Sequence, residues 1–331
     1  MPEFTNNNNL ILGGLAACAV GVLGISYIYL RREKRKFTQV GVVSKLFIHP
    51  IKSCRGLEVS QAECVALGIK SNGVLDRSFL VIDANKDSVS RIRQPSLALV
   101  APSLSDDMQS LLINAPGMPT LTVPLHSDQN GRIYNSRVLG LGVQGEDCGE
   151  AASEWISQYL GKPRYRLVCY SNKCNDKILQ NDRKWGSKSK AGEKGMFQNL
   201  AHLHLFSESS LINLNSKLEK QLHYDNFRPN IVVDGSTAFS EDKWKYVRIG
   251  DEVHLRTTHK CARCPQTTVD PEIGKFMETK EPLKTLRTYR MAAPDDPDQK
   301  TYGANPVFGT NLAIESFGVV KLGDPVYASL V

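Results

Sequence analysis

The sequence predicts a β-rich α+β fold that is preceded by one transmembrane helix. Two observations carry this prediction. Short apolar and β-branched runs, separated by Gly, Pro and Asn-Gly turn signals, recur along most of the chain, whereas helical patterning is confined to a few places. Residues 10–30 form one uncharged and mostly apolar stretch. A chain of 331 residues can bury a sizeable core and has room for two domains.

The apolar stretch at residues 10–30 has the length of a membrane span. As a helix it reaches about 31 Å, the hydrocarbon thickness of a bilayer. A cleavable secretory signal is the alternative, but the basic run at residues 31–36 follows the apolar stretch instead of preceding it. Because basic residues stay on the cytoplasmic side, we expect residues 37–331 to face the cytosol. The moderate hydrophobicity suits the mitochondrial outer membrane and also the endoplasmic reticulum.

The positive charge of the chain is concentrated next to this stretch. The formal net charge is +7; residues 31–36 contribute +4 and Glu3 contributes −1, which leaves +4 for residues 37–331. This excess does not indicate nucleic-acid binding. The eight cysteines are scattered without a disulfide framework, as in a protein of a reducing compartment.

Strands are predicted wherever apolar and β-branched residues cluster between turn signals. They lie at Val40–Ile48, Phe79–Asp83, Leu97–Ala101, Leu111–Asn114, Leu121–Leu125, Arg166–Tyr170, Asn230–Val233, Tyr246–Ile249, Val253–Leu255 and Val319–Tyr327. Helical spacing of apolar residues predicts helices at Glu150–Leu160 and Ser207–Leu222, the second of them capped by Ser207.

The most informative local motif is the pair Cys261 and Cys264. The neighbouring cations His259, Lys260 and Arg263 favour thiolate over thiol. A structural zinc site would need further ligands at proper spacing, and a thioredoxin-like redox pair would need a βαβ context. A pair of packed thiols is the plain alternative. The motif favours a single thiolate that ligates a soft metal and leaves the other interpretations open.

Two further motifs could bind an anion. Arg228 and Asn230, in Asn226-Phe-Arg-Pro-Asn230, could present a guanidinium and an amide to one ligand. In His49-Pro-Ile-Lys-Ser-Cys-Arg-Gly56, Lys52 and Ser53 could grip a phosphate, although the spacing is not that of a Walker motif. Each motif alone is more typical of salt bridges and turns.

Taken together, the motifs of this chain resemble those of one family. They occur in the order Pro50-Ile-Lys-Ser-Cys54, Asp76-Arg77, Asp147-Cys-Gly-Glu150, Asn226-Phe-Arg-Pro-Asn230, Arg263-Cys-x-x-Thr-Thr-Val-Asp270, Tyr302-Gly-x-x-Pro-x-Phe-Gly309 and Gly323-Asp-Pro-Val326. The series is similar to the MOSC-domain proteins with an N-terminal MOSC-N region, most closely the amidoxime-reducing components. The resemblance implies a membrane anchor and basic flank at residues 1–36, a MOSC-N β-rich domain at 37–170 and a MOSC β-barrel at 171–331.

The resemblance also implies a molybdenum cofactor (Moco) and the residues that hold it. The cysteine of the Arg-Cys-x-x-Thr-Thr motif is the metal ligand in this family, which selects Cys264 over Cys261. The implied cofactor-binding residues are Lys52, Ser53, Arg77, Arg228 and Asn230, together with Cys264. Such an assignment suits an anionic and planar cofactor.

The implied activity is the reduction of N-hydroxylated compounds such as amidoximes. In this family the electrons come from NADH through a reductase and cytochrome b5, and the implied location is the mitochondrial outer membrane, with the catalytic part facing the cytosol. A non-catalytic cofactor carrier or a sulfur-handling MOSC protein is the alternative function. A thiol-disulfide protein that uses both Cys261 and Cys264 is a third.

Two departures from the family pattern concern the implied site. Where relatives have a Thr-Ser pair, this chain has Leu200-Ala201, so two hydroxyl contacts to the cofactor are expected to be absent or replaced, for example by His202. The run Arg91-Ile-Arg-Gln-Pro95 also differs in spacing, which leaves open whether Arg91 or Arg93 faces the site.

Overall fold

The structure, a computed structural model, describes residues 35–125 and 131–330. The predicted transmembrane helix at residues 10–30 lies outside these residues, as does most of the basic run that follows it. Within the two described segments, none of the helices combines the length and the apolar character that a bilayer crossing needs.

In the described part of the N-terminal half, residues 35–125 and 131–170, the structure has twelve strands and one α-helix, α1 (Glu150–Leu160). The strands are β1 (Thr38–Ile48), β2 (Leu57–Glu58), β3 (Gln61–Val65), β4 (Gly68–Ser71), β5 (Val74–Leu75), β6 (Phe79–Ile82), β7 (Ala101–Leu104), β8 (Ser110–Asn114), β9 (Leu121–Pro124), β10 (Ile133–Val138), β11 (Leu141–Asp147) and β12 (Arg166–Cys169).

Residues 171–330 add eleven strands and four short helices. The strands are β13 (Lys177–Ile178), β14 (Lys194–Gly195), β15 (Leu203–Ser207), β16 (Ile231–Asp234), β17 (Tyr246–Ile249), β18 (Val253–Ala262), β19 (Val269–Asp270), β20 (Lys275–Phe276), β21 (Val307–Ser316), β22 (Gly318–Lys321) and β23 (Pro325–Ser329). The helices are α2 (Glu208–Asn215), α3 (Tyr224–Phe227), α4 (Leu283–Tyr289) and α5 (Gln299–Tyr302).

Seven strands close into a barrel. The order is β16-β15-β21-β18-β17-β23-β1, and β1 also pairs with β16. The pairs are antiparallel except for β15 with β16, which run parallel. Buried side chains such as Leu46, Leu205, Val247 and Leu255 fill the interior. Because every strand edge in a closed barrel is paired, the barrel is a rigid base for the loops that leave its strands.

The other sheets have the orders β10-β11-β12-β6, β22-β3-β4-β5 and β7-β8-β9, and two further sheets are the strand pairs β13-β14 and β19-β20. Helix α1 packs the buried face of Trp155 and Ile156 into a second core, and it ends at Gly161, whose φ of 65° is left-handed. Strand β1 and the pairing of β22 with β3 join the two halves. The division at residue 170 therefore stays a prediction.

The predicted β-rich fold class is confirmed, and the exceptions have local causes. The segment Leu97–Ala101 is not a strand: Pro95 starts a 3-10 helix that ends at Leu99. The predicted strand Val319–Tyr327 is two strands, β22 and β23. The second predicted helix begins where expected, with Ser207 Oγ accepting from the Ser210 N–H, but α2 ends at Asn215 instead of Leu222.

Candidate functional site

One cavity of about 320 Å³ gathers all the predicted site residues. They come from four separated segments: the turn after β1, the turn before β6, the connection between α3 and β16, and the segment after β18. The predicted residues in its lining are Lys52, Ser53, Arg77, Arg228, Asn230 and Cys264. Chain segments that are far apart in sequence therefore meet at one site.

Cys264 presents an exposed thiol at this cavity. It follows β18 and precedes a 3-10 helix, and its carbonyl accepts bonds from Thr267 N–H at 3.1 Å and Thr267 Oγ1 at 2.9 Å. The preceding Arg263 is buried and donates to Phe308 O at 3.0 Å and to His204 Nε2 at 2.6 Å. These bonds fix the backbone on both sides of the thiol.

Cys261 lines the same cavity in a different environment. Its thiol is less exposed than that of Cys264, and burial raises its pKa. The two cysteines are therefore not equivalent, which argues against a symmetric role. In the part of the chain that the structure describes, no cluster of three or more His, Cys, Asp or Glu side chains could hold a metal ion, so the structural zinc interpretation finds no ligand set.

Arg77 and Arg228 form one linked group with Asn230. The Arg77 guanidinium donates to the Asp76 carboxylate, to Asn230 Oδ1 at 3.3 Å and to Arg228 O at 3.3 Å. Arg228 Nη1 donates to Cys54 O, while its Nη2 is buried without a partner. Burial, followed by the nearby cations, lowers the pKa of Arg228 well below its usual value. An anion in the cavity would satisfy this nitrogen and offset the repulsion.

Lys52 adds a further cation to the cavity. Its Nζ donates to Asn199 Oδ1. Burial and neighbouring cations, with Lys177 first among them, lower the pKa of Lys52 well below its usual value. Because an anionic ligand raises the pKa of an amine, such a ligand would favour the charged ammonium.

Three of the predicted residues adopt left-handed backbone conformations that non-glycine residues rarely accept. The φ angles are 70° at Ser53, 55° at Arg77 and 56° at Arg228. Each such residue costs of order 1 kcal/mol or more, and such strain often marks ligand sites. All three strained residues line the same cavity, which indicates that the strain serves to direct their side chains toward it.

The sequence left open whether Arg91 or Arg93 faces the site, and the structure gives the two side chains different roles outside the cavity lining. Arg91 is fully buried and donates to Ser53 O at 2.7 Å, to Asp225 O at 3.0 Å and to Cys54 O at 3.1 Å. Arg93 instead pairs with an aspartate on the surface. Neither side chain lines the cavity, so Arg91 acts from behind by fastening the turn that carries Ser53.

The replaced hydroxyl pair is not compensated by His202. Leu200 and Ala201 both line the cavity and bring no polar side-chain group. His202 Nδ1 accepts from Ile314 N–H at 3.1 Å, and its Nε2 bonds to Lys194 O at 2.8 Å. Since both ring nitrogens are occupied, this interpretation is wrong. Asn199, the polar residue directly before Leu200, accepts a hydrogen bond from Lys52.

Several lining residues were missed by sequence reasoning. Trp185 stacks on His259 with ring centroids 4.1 Å apart and an interplanar angle of 11°, and burial lowers the pKa of His259 to about 3. Ile92 and Leu139 reach the cavity from the N-terminal half. Trp185 and Leu139 belong to none of the motifs, and the run that contains Ile92 drew attention only to its arginines, so only the fold brings these three side chains to the cavity of Cys264.

The electrostatics of the cavity are one-sided. Four cationic side chains line it, namely Lys52, Arg77, Arg228 and Arg263, and none of its described lining residues is a carboxylate. A cavity with this lining, an unpartnered Arg228 nitrogen and an exposed thiol suits an anionic ligand that carries a soft metal. The residues present therefore fit a phosphate-bearing metal cofactor.

Comparison with known proteins identifies the family of this chain. The MOSC N-terminal beta barrel domain matches residues 40–163, and the MOSC domain matches residues 192–327. Mitochondrial amidoxime-reducing component 1 of Homo sapiens is 38% identical over 95% of this chain and 90% of its own length. The protein of that name from Danio rerio is 40% identical over 94% of this chain and 92% of its own length.

Solved structures are less similar. The YUAD protein from Bacillus subtilis aligns with 88% of this chain and 97% of its own length at 10% identity, with a TM-score of 0.34, which supports no further argument. The two domain matches and the high coverage of the curated relatives decide the assignment. The chain belongs to the family of amidoxime-reducing components, in which a MOSC N-terminal beta barrel domain is followed by a MOSC domain.

Proposed function

We propose that this chain is a molybdenum-cofactor-dependent reductase of N-hydroxylated compounds and that Cys264 is the protein ligand of the metal. The observation that carries the proposal is the cavity in which four cations and no described carboxylate surround an exposed thiol. Family membership supports the reductase activity. When bound, the cofactor supplies two-electron redox chemistry.

The residues of this chain have separate tasks in the proposed reaction. Lys52, Ser53, Arg77 and Arg228 would bind the phosphate and the anionic parts of the cofactor. Asn230 is engaged by protein groups on both ends of its amide, since Oδ1 accepts from Arg77 and Nδ2 donates to Phe47 O at 3.2 Å. Its role would be to hold Arg77 in position.

The overall reaction sets what the cavity must admit. Reduction of an N–OH group consumes two electrons and two protons, breaks the N–O bond and releases water. The neutral His259 and the buried Trp185 give part of the cavity wall an aromatic surface. Such a wall would limit the access of water while the substrate is bound.

The electron donor, in this proposal, is cytochrome b5 with its NADH-dependent reductase. The excess of positive charge in residues 37–331 would favour docking of an acidic carrier. The proposed location is the mitochondrial outer membrane, with the anchor at residues 10–30 and the catalytic part facing the cytosol. The names of the relatives support a mitochondrial location, and the endoplasmic reticulum remains the alternative.

The test compares Cys264→Ala with Cys261→Ala in the full-length chain. After loading, molybdenum is measured by mass spectrometry and benzamidoxime reduction by product formation. We expect Cys264→Ala to lose activity by at least about a thousandfold, as when a group essential to the chemistry is removed, and Cys261→Ala to keep most of its activity.

Other outcomes separate the alternatives. Equal loss in both variants would favour the thiol-disulfide interpretation. A wild-type chain that binds molybdenum and pterin but never reduces an amidoxime would be a carrier instead of an enzyme. Full activity in Cys264→Ala would exclude the proposed metal ligand.

A further inference from the structure

Two exposed apolar side chains from the N-terminal half reach the cavity that contains Cys264. Leu139 is 59% exposed and Ile92 is 42% exposed, and both belong to the cavity lining. Apolar side chains left in water at the edge of a small-molecule cavity gain free energy when an apolar part of a ligand covers them.

Leu139 is also strained. Leu139 and Gly140 are the two central residues of the turn that joins β10 to β11, with φ angles of 52° and 84°. A two-residue turn with positive φ at both positions strongly prefers Asn-Gly or Asp-Gly, and a leucine at the first position is costly. The hairpin itself gains nothing from this leucine, so its benefit lies outside the hairpin.

The fold holds both side chains in place. The hairpin is anchored by Val138 and Val143, which are buried in a core cluster with Phe197. An isolated β-bridge between the backbones of Asp87 and Arg137 holds the loop that leads to Ile92 against the hairpin. The two apolar groups are therefore presented by supported backbone.

We propose that Leu139 and Ile92 form an apolar lip that binds the organic substituent of the substrate, so that the enzyme selects N-hydroxylated compounds bearing an aryl or similarly bulky apolar group. This inference rests on the proposed reductase function. Leu200 lines the same cavity and packs against a cluster containing Trp185, so it extends the apolar surface inward.

The test uses two substrates with the same reacting group. Benzamidoxime and acetamidoxime differ only in a phenyl or a methyl substituent. In the cofactor-loaded full-length chain, Leu139→Asn should lower the ratio of their kcat/KM values, benzamidoxime over acetamidoxime, by about tenfold, the scale on which apolar pockets discriminate. Most of the change should lie in KM for benzamidoxime. Ile92→Thr should act in the same direction.

Stability and a matched control separate this effect from misfolding. Asparagine suits the left-handed turn position, so the Tm of Leu139→Asn should equal or exceed that of the wild type. Met108 is the control, because it is 47% exposed, has a φ of 57° in the turn between β7 and β8, and does not line the cavity. Met108→Asn should leave the substrate ratio unchanged.

The outcomes are distinguishable from failure of the proposed function. A loaded wild-type chain that reduces neither amidoxime contradicts the reductase function itself. A wild type that reduces both, with the same substrate ratio in Leu139→Asn and Ile92→Thr, overturns the lip. An equal fall of the ratio in Met108→Asn also overturns it, because the change would then not depend on contact with the cavity.

Discussion

Two cavities of nearly equal size lie on opposite sides of one chain segment. The cavity with Cys264 has about 320 Å³, and a second one has about 340 Å³. Residues 223–230 form the wall between them. The first cavity is lined by four cations, whereas the second combines a single cation of its own, Arg55, with three carboxylates, Glu58, Asp225 and Glu272.

The difference in charge, and not in volume, is what favours the first cavity as the proposed cofactor site. In the second cavity Arg55 Nε has no hydrogen-bond partner either, but it lies 3.6 Å from Asp225 Oδ2, so the charge of Arg55 is compensated by an ion pair within the protein. In the first cavity the Arg228 Nη2 remains without a partner. Burial of uncompensated cations costs free energy until an anion binds. Loading with the cofactor should therefore stabilise the fold.

The largest expected effect on cofactor binding comes from replacing an arginine of the first cavity with methionine and comparing it with the same replacement in the second cavity. Arg228→Met should weaken cofactor binding by about a hundredfold, because truncation of a buried charged hydrogen-bond partner costs roughly 2–5 kcal/mol. Arg55→Met is the matched control and should retain the cofactor. Bound pterin is measured by fluorescence after oxidation. If both variants retained pterin equally, charge would not be what distinguishes the cavities.

An effect on stability instead of cofactor binding is expected where Arg91 holds the shared wall in place. Arg91 donates to the carbonyls of Ser53 and Asp225, one on each side of the wall. Arg91→Met should lower the free energy of unfolding by about 3 kcal/mol, since several bonds from a charged donor are lost. Arg93→Ala removes a surface ion pair and should cost less than about 1 kcal/mol. Urea unfolding of the two variants checks the contrast, and equal losses would contradict it.

Glu241 is a buried acid that lines neither cavity, so it shows what burial does to a group of opposite charge. Glu241 is fully buried and accepts from Ser210 Oγ at 2.8 Å. Burial raises its pKa to about 7. The folded state thus keeps a proton that the unfolded state releases above its ordinary pKa of about 4.3. The stability of the wild type should fall as the pH rises through this window and should level off above pH 7.

Substitution of the same acid isolates this contribution. In Glu241→Gln the fall between about pH 4.3 and 7 should shrink by up to about 4 kcal/mol, the free energy that corresponds to this change in pKa. Urea unfolding at pH 5 and pH 8 measures it. The same pH dependence in both proteins would show that Glu241 does not carry the penalty of burial.

The motifs predicted the polar half of the site because each polar residue stands in a recognisable local pattern. Lys52, Arg228 and Cys264 each belong to one of the motifs quoted from the sequence. Strand β21 was missed because Gly309 and Asn311 interrupt its apolar pattern, although it pairs along most of β18.

The apolar half of the site could not be predicted in this way. Leu139 lies in a hairpin turn and Ile92 in a distant loop, and their meeting depends on the tertiary placement of the hairpin next to that loop. The missing hydrogen-bond partner of Arg228 Nη2 could not be predicted from the sequence either, because it depends on which backbone carbonyls lie near the guanidinium in the folded chain.

The central claim is that the thiolate of Cys264 bonds to the metal in the cation-lined cavity. X-ray absorption at the molybdenum edge of the loaded full-length chain tests it most directly. We expect Cys264→Ser to lose one sulfur neighbour of the metal and Cys261→Ser to keep the wild-type spectrum. An unchanged sulfur shell in Cys264→Ser would contradict it.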